Sequence, residues 1–345
     1  MERIPGSIET TGPVLGIDIG GTKTDLALAG RDGVIVARTR IATAAEQGPD
    51  LAMRRIEQAA SSLLVAHPMG SLRAIGVVGP GVIHPDRILL APNLPGWEHI
   101  GLADRISQLF SLGAVAATND VKAAALAEAR YGALLGCEPG LYLNLGTGLG
   151  AAIVIGGQVM PGRHQAAGEI AYIAPGGSTS AAGDNLEDVS GGKSLLRRAE
   201  GYLGAPIDAA ALFAATDPQT RRIVDQALDT LAIAVANMAV LLDPDRIVVG
   251  GGMMASADVV LPALLAKLNQ LVPFPPDLKP AYFTQDAALH GAIALALEAA
   301  PAAYDADSSG GPTIRPSEVN ASTLPNALRL DLSVGDPPRL KEHRA

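Results

Sequence analysis

The chain has 345 residues, a length for about two domains, with 48% apolar and 18% charged residues. That apolar share supplies a sizeable core and excludes disorder over most of the length, while a formal charge of −9 argues against a general nucleic-acid binder, which needs a basic surface. A single cysteine, Cys137, excludes an intramolecular disulfide and a cysteine zinc cage, and the short polar stretch before Val14 lacks a signal-peptide core.

In chain order, Val14–Ala29 (VLGIDIGGTKTDLALA) reads as strand, glycine turn, strand, because apolar residues alternate on both sides of Gly20-Gly21. Gly33–Ile41 continues as a strand. Leu51–Val65 carries apolar residues at helical spacing and is closed by Pro68 and Gly70. Ala74–Val78 is a short buried strand running into the Gly79-Pro80-Gly81 turn. Val115–Thr118 is a further strand, and Asn119-Asp120 opens the helical stretch VKAAALAEARYGA. The pattern then restarts, since Leu141–Ile155 (LYLNLGTGLGAAIVI) is again strand, glycine turn, strand. Residues 174–194, rich in Gly, Ser and Ala, read as a loop entering a helix near Lys193. Thr220–Leu242 is strongly helical, and its apolar run Leu231–Leu242 is too short to span a bilayer. Arg246–Val249 is a strand feeding Gly250-Gly251-Gly252, followed by helices at Val259–Leu271 and Asp286–Ala299. Residues 301–345 read as a mostly disordered tail with a short piece at Leu328–Val334. The expectation is a soluble, cytosolic protein with no membrane segment.

Gly20-Gly21-Thr22-Lys23 lies between two strands, which excludes the P-loop and the dinucleotide fingerprint, since both need a helix directly after the glycines. A glycine hairpin still offers backbone N–H groups to phosphate oxygens, with Thr22 adding a hydroxyl and Lys23 a charge. An ordinary tight hairpin would read the same way. Gly146-Thr147-Gly148 repeats this chemistry 126 positions later, with Asp18 falling on Asn144. Gly250-Gly251-Gly252 either admits a base or ribose close to the backbone or simply turns a strand into a helix. Asp18, between Ile17 and Ile19, needs a partner in so apolar a strand. The water shell of a Mg²⁺ on ATP phosphates would serve, and so would a structural hydrogen bond. Asn119 and Asp120, at a helix start, read first as a plain N-cap.

The motifs LGIDIGGTKTDLALAG, GPGVI, APNLPGW, ND with AAALAEARYGA, LNLGTGLGAAIVIGG, AGEI and DPDRIVVGGG follow one another as they do in ROK-family sugar kinases, which the chain resembles over about residues 14–300. The resemblance implies an α/β, actin-like ATPase (ribonuclease H-like) fold with an interdomain cleft. One α/β domain would span 12–119 and be completed by the helix 286–300; the other would span 120–285. It implies a kinase for the 6-hydroxyl of a hexose, glucose first, with fructose, mannose or an N-acetylhexosamine as alternatives. ATP, Mg²⁺ and a homodimer come with it. On this chain's positions, Asp120 resembles the general base. Gly81, Asn93, Asn119, Asp120 again, Glu169, Tyr172 and Glu187 resemble the sugar site. Asp18 would hold Mg²⁺ through water, and the ATP site would use Gly20, Gly21, Thr22 and Lys23, the second turn Gly146, Thr147 and Gly148, and Gly250, Gly251 and Gly252.

Many family members carry a His three residues after the sugar-site Glu, then a cysteine-rich zinc loop ending in Leu-Glu. Here Tyr172 holds the first position and the loop reads APGGSTSAAGDNLEDVSGG, without cysteine, so no structural zinc is expected. Leu186-Glu187 and Ser190-Gly191-Gly192 keep the pattern. The helix dipole at Asp120 argues for an ionised, weakly basic carboxylate. Trp97 is expected to pack, and His164 to be a surface or structural residue. Two other readings stand beside the kinase. A ROK-type repressor is disfavoured by the thirteen residues before the first strand and by the acidic charge. A degenerate sugar sensor is kept open by the missing zinc loop. Polyphosphate as donor is disfavoured because no dense basic cluster surrounds Lys23.

Overall fold

The computed structural model describes residues 12–175 and 184–301, and every structural statement concerns these. The expected tail lies outside them apart from Pro301, as do residues 176–183 of the expected loop. Apolar alternation makes β1 (Val14–Ile19) and β2 (Lys23–Ala29) an antiparallel hairpin in which Asp18 faces Asp25. β3 (Ile35–Ala42) pairs with β2, and its alternate residues Ala37 and Ile41 pack towards the core under α1 (Pro49–Ala66). β4 (Ala74–Gly79) joins β1 in parallel. A small hairpin, β5 (Val82–His84) and β6 (Arg87–Leu89), and α2 (Leu102–Phe110) precede β7 (Val115–Asn119), which pairs with β4. The first sheet therefore has the order β3-β2-β1-β4-β7.

After α3 (Asp120–Tyr131), β8 (Gly140–Leu145), β9 (Leu149–Ile155) and β10 (Gln158–Val159) form an antiparallel run. Helices α4 (Leu186–Ser190), α5 (Gly192–Leu203), α6 (Ala209–Phe213) and α7 (Pro218–Leu242) follow. β11 (Arg246–Gly250), α8 (Ala257–Leu271), β12 (Asp277–Pro280) and α9 (Ala287–Ala299) complete the described chain. The second sheet has the order β10-β9-β8-β11-β12. In both sheets the third, second, first, fourth and fifth strands of the set lie side by side, so the repeat at the glycine turns is a repeat of topology. This is the actin-like ATPase fold.

Each sheet has its own core. Trp97 is fully buried with Leu15, Ile17 and Met53 in the first, where it packs as expected. In the second, α7 and α8 cover Leu143 and Ile247. The apolar run at Leu231 turns out to be the second half of α7, a helix long and apolar enough to cross a membrane by length and composition alone. Core helices pass the same test, and Val224, Leu231 and Val235 of α7 are buried against the sheet and its neighbours.

α9 returns from the end of the described chain to lie on β1 and β4, with α3 on its other side. The backbones approach closely because Gly76 has no side chain; a Cβ there would collide with the carbonyl of Ala292. Gly76→Ala is expected to lower the free energy of unfolding by about 1–3 kcal/mol, the usual range for overpacking, as read by urea denaturation.

The structure corrects the 174–194 reading. Leu186–Ser190 is a helical turn with a capping box, since Asn185 accepts from the Asp188 N–H at 3.1 Å and Asp188 accepts from the Asn185 N–H at 3.2 Å. The elements absent from the sequence reading, among them α2, the β5–β6 hairpin, β10, α6 and β12, are short, so periodicity has little length in which to show.

Candidate active site

A cavity of about 400 Å³ opens where the two hairpins end. Asp18, Gly20, Gly21, Lys23 and Asn93 line it before α3, and Asp120 of α3, Tyr142 and Asn144 of β8, and Gly251 after β11 line it from beyond. The segment Phe283–Asp286, which leads into α9, closes one side.

The hairpin tips explain what such a cavity can hold. In the first turn, the Gly20 N–H donates to the Lys23 carbonyl at 2.9 Å, while the carbonyls of Gly21 and Thr22 accept from Ala45 and Thr43. The N–H groups of Gly21 and Thr22 are left without an acceptor among the described residues. In the second turn, the Gly146 N–H donates to the Gly148 carbonyl at 3.0 Å, and α5 begins by donating from Gly192 and Lys193 to the carbonyls of Gly146 and Thr147. Thr147 and Gly148 keep their N–H groups unpaired among the described residues. Each turn thus leaves two successive donors, an arrangement suited to anions. Gly250 ends β11, Gly251 follows at φ +94°, and Gly252 starts a short 3-10 turn into α8. A Cβ on Gly251 would strike the backbone of Leu145, so only glycine brings this strand end so close to the second turn.

The Asp18 side chain accepts no hydrogen bond among the described residues. Burial, then the charges of Asp120 and Asp25, push its pKa up to about 7, against the opposing pull of Lys23. No three His, Cys, Asp or Glu side chains among the described residues group to hold a metal directly, and a buried carboxylate without a hydrogen-bond donor has the chemistry to face the water shell of a divalent cation. Asp25 and Asp286 have cations of their own, from Arg40 at 2.5 Å and Arg38 at 3.0 Å.

Asp120 begins α3 and accepts from the Val121 N–H at 2.9 Å. Its pKa is raised. Burial outweighs the hydrogen bonds from backbone N–H groups and the nearby Lys122. The dipole argument from sequence therefore has the wrong sign, because loss of water at the cleft wall exceeds the stabilisation offered by the helix start. Asn119 is indeed the N-cap: its Oδ1 accepts from the Lys122 N–H at 2.8 Å. Its Nδ2 donates to the Gly81 carbonyl at 3.0 Å and reaches Glu169 Oε1 at 3.4 Å, so Gly81, Asn119 and Glu169 come together.

Glu187 accepts from the Leu149 N–H at 2.8 Å, against the second glycine turn, and its charge is felt at Glu169. Asn93 packs on Gly21. Tyr172 is not gathered in; it stands 57% exposed, with no side-chain hydrogen bond among the described residues. Sequence reasoning gave no role to Asn144, whose signal was its overlay on Asp18. It also missed Glu128, a buried carboxylate that holds the Phe283 N–H at 2.9 Å and the Ala133 N–H at 2.7 Å, and so anchors the segment closing the cavity.

The ROK family profile matches residues 14–299. The chain is 32% identical over 295 residues to a kanosamine kinase of Amycolatopsis mediterranei (strain S699), covering 82% of this chain and 95% of that relative. It is 32% identical over 293 residues to an N-acetylmannosamine kinase of Shigella flexneri, covering 82% and 98%. The crystal structure of a ROK family glucokinase from Streptomyces griseus, in complex with glucose and AMPPNP, superposes with a TM-score of 0.66 at 27% identity, covering 83% of this chain and 100% of that one. These relatives are named as sugar kinases, the enzyme class that the motifs imply. A profile match across most of the chain, together with relatives above 30% identity, shows that the chain belongs to the ROK family.

Proposed function

We propose that this protein is an ATP-dependent kinase that phosphorylates the 6-hydroxyl of a hexose, with glucose as its first substrate. The observation that carries the reading is one cavity lined by both Asp120 and the first glycine turn, which puts a candidate base within the space that would hold a phosphoryl donor. Phosphoryl transfer asks little covalent chemistry of a protein and depends on positioning and charge. The paired N–H groups of Gly21 and Thr22, and of Thr147 and Gly148, would hold phosphate oxygens, with Lys23 adding charge. Asn144, aligned with Asp18 in the second repeat, would offer a neutral amide donor where another carboxylate would repel the phosphates. Gly250, Gly251 and Gly252 would let the nucleotide lie against the backbone.

Mg²⁺, held through water by Asp18, would neutralise charge on the phosphates. The sugar would lie against Asn119, Glu169, Glu187, Gly81 and Asn93, acceptors and donors suited to a neutral polyol. Asp120 would take the proton of the 6-hydroxyl as that oxygen attacks the γ-phosphorus, and the bond from that phosphorus to the β,γ-bridging oxygen would break to release ADP. Closure of the cleft would keep water from the same phosphorus.

A second acceptor class, the N-acetylhexosamines, is favoured by the 32% identity to an N-acetylmannosamine kinase. A coupled ADP-release assay over hexoses and 2-acetamido hexoses, with ATP or polyphosphate and Mg²⁺, separates the readings. Glucose with ATP is expected to give the highest kcat/KM. A higher value for an acetamido sugar selects the second acceptor. No turnover with any sugar, alongside sugar-dependent thermal stabilisation, would replace the kinase with a sensor.

A further inference from the structure

Lys122 breaks three local rules at once. It sits in the first turn of α3, where the helix dipole favours anions and disfavours cations. It is only 4% exposed, although an ammonium loses strong hydration on burial. Its Nζ makes one hydrogen bond among the described residues, to the Gln165 carbonyl at 2.8 Å, although an ammonium carries three donors. The charges facing it are Glu169 and Asp120; burial lowers its pKa and these two carboxylates oppose that shift. Rule-breaking of this kind is expected at functional positions, where something else compensates.

Its acceptor is equally unusual. Gln165 takes φ +61°, a left-handed conformation that residues other than glycine seldom adopt. It belongs to a compact strap in which Gln165 N–H bonds the Gly162 carbonyl, Ala167 N–H bonds that of Pro161, and Glu169 N–H bonds that of Ala166. The strap ends at Glu169, which reaches Asn119 at 3.4 Å. Lys122 is thus the side chain that ties this strap to the helix bearing Asp120.

We propose that Lys122 is a positioning residue for the sugar side of the cleft: its ammonium pins the Gln165 turn to α3 and thereby holds Glu169 against Asn119. The proposal rests on the kinase reading. Without this tie the strap keeps only the Asn119–Glu169 contact with the start of α3, and Glu169 loses the cation whose charge opposes those of Asp120 and Glu187. The glycine turns that would take the nucleotide are built from other residues, so the effect falls on the sugar alone.

The test compares Lys122→Gln and Lys122→Arg with the wild-type enzyme on the sugar it turns over best. Lys122→Gln is expected to raise the sugar KM by about 10–100-fold, the range for losing a charge-assisted hydrogen bond. The ATP KM should stay within about twofold, and Lys122→Arg should recover most of the loss because a guanidinium keeps the charge and can still donate to the Gln165 carbonyl. Gln165→Pro fixes φ near about −65°, away from the φ of 61° that this turn holds, so it displaces the carbonyl and should raise the sugar KM with the ATP KM unchanged. That variant carries the test should Lys122→Gln fail to fold. An unchanged sugar KM, a parallel rise in both KM values, or no recovery with arginine overturns the proposal. Absence of wild-type turnover would instead sink the kinase reading; calorimetric glucose affinity of the same variants then decides the role of Lys122 by itself.

Discussion

Replacing Asp120 with alanine is expected to lower kcat by about 10²–10⁴-fold, the usual contribution of a positioned general base, while ATP and sugar still bind. The environment of Asp120 makes the result more specific than a simple loss. Burial raises its pKa, and the hydrogen bond from the Val121 N–H only partly offsets this. A raised pKa makes the ionised carboxylate a better proton acceptor, and it also leaves the group protonated to a higher pH than an ordinary Asp. The kcat/KM profile at saturating Mg²⁺ should therefore fall on the acid side through an apparent pKa above the usual carboxylate range. In Asp120→Ala that limb should vanish along with most of the rate. Asp120→Asn keeps the volume and should behave the same way. Wild-type turnover in either variant would take the base role away from Asp120.

Much of the fold was legible because its elements obey simple periodicities. The hairpins at Gly20 and Gly146 alternate apolar residues, and α7 and α9 carry apolar faces long enough to read. The correspondence of Asp18 with Asn144 was visible as a spacing, and the matching strand orders give it physical meaning. Local sequence could not reveal what depends on distant parts of the chain meeting. The sign of the Asp120 shift is set by how far the cleft wall excludes water, whereas the sequence shows only a helix start. Glu128 looked like any carboxylate on a helix, yet it is buried and clamps a segment that lies 155 residues further on. Tyr172 shows a different limit: motif alignment nominated it, and the sequence could not show that its side chain stands exposed. Resemblance transfers a residue's address, while burial and partners are properties of this chain's own packing.

Asp18→Asn is expected to move stability and activity in opposite directions. In the folded protein burial pushes the Asp18 carboxyl up to about 7, from the ordinary 3.8 of a free carboxylate. The folded state therefore holds the charged form less favourably than the unfolded chain does. The resulting destabilisation is absent below the unfolded pKa, grows between about pH 4 and 7, and is fully present above the folded pKa. Asparagine keeps the shape and removes the charge. In EDTA and without nucleotide, the variant should gain stability at pH 8, on the order of 2–4 kcal/mol, and little or nothing at pH 4. The same substitution removes the anion proposed to face the hydrated Mg²⁺, so kcat/KM for ATP should fall by about 10²–10³-fold. Urea denaturation at the two pH values and steady-state kinetics read the two effects separately. A variant less stable than the wild type at pH 8 would mean that the Asp18 charge already has its partner within the protein. Its affinity for a cation would then need another explanation. A variant both more stable and less active would identify Asp18 as a site where the fold tolerates an unfavourable charge because catalysis needs it.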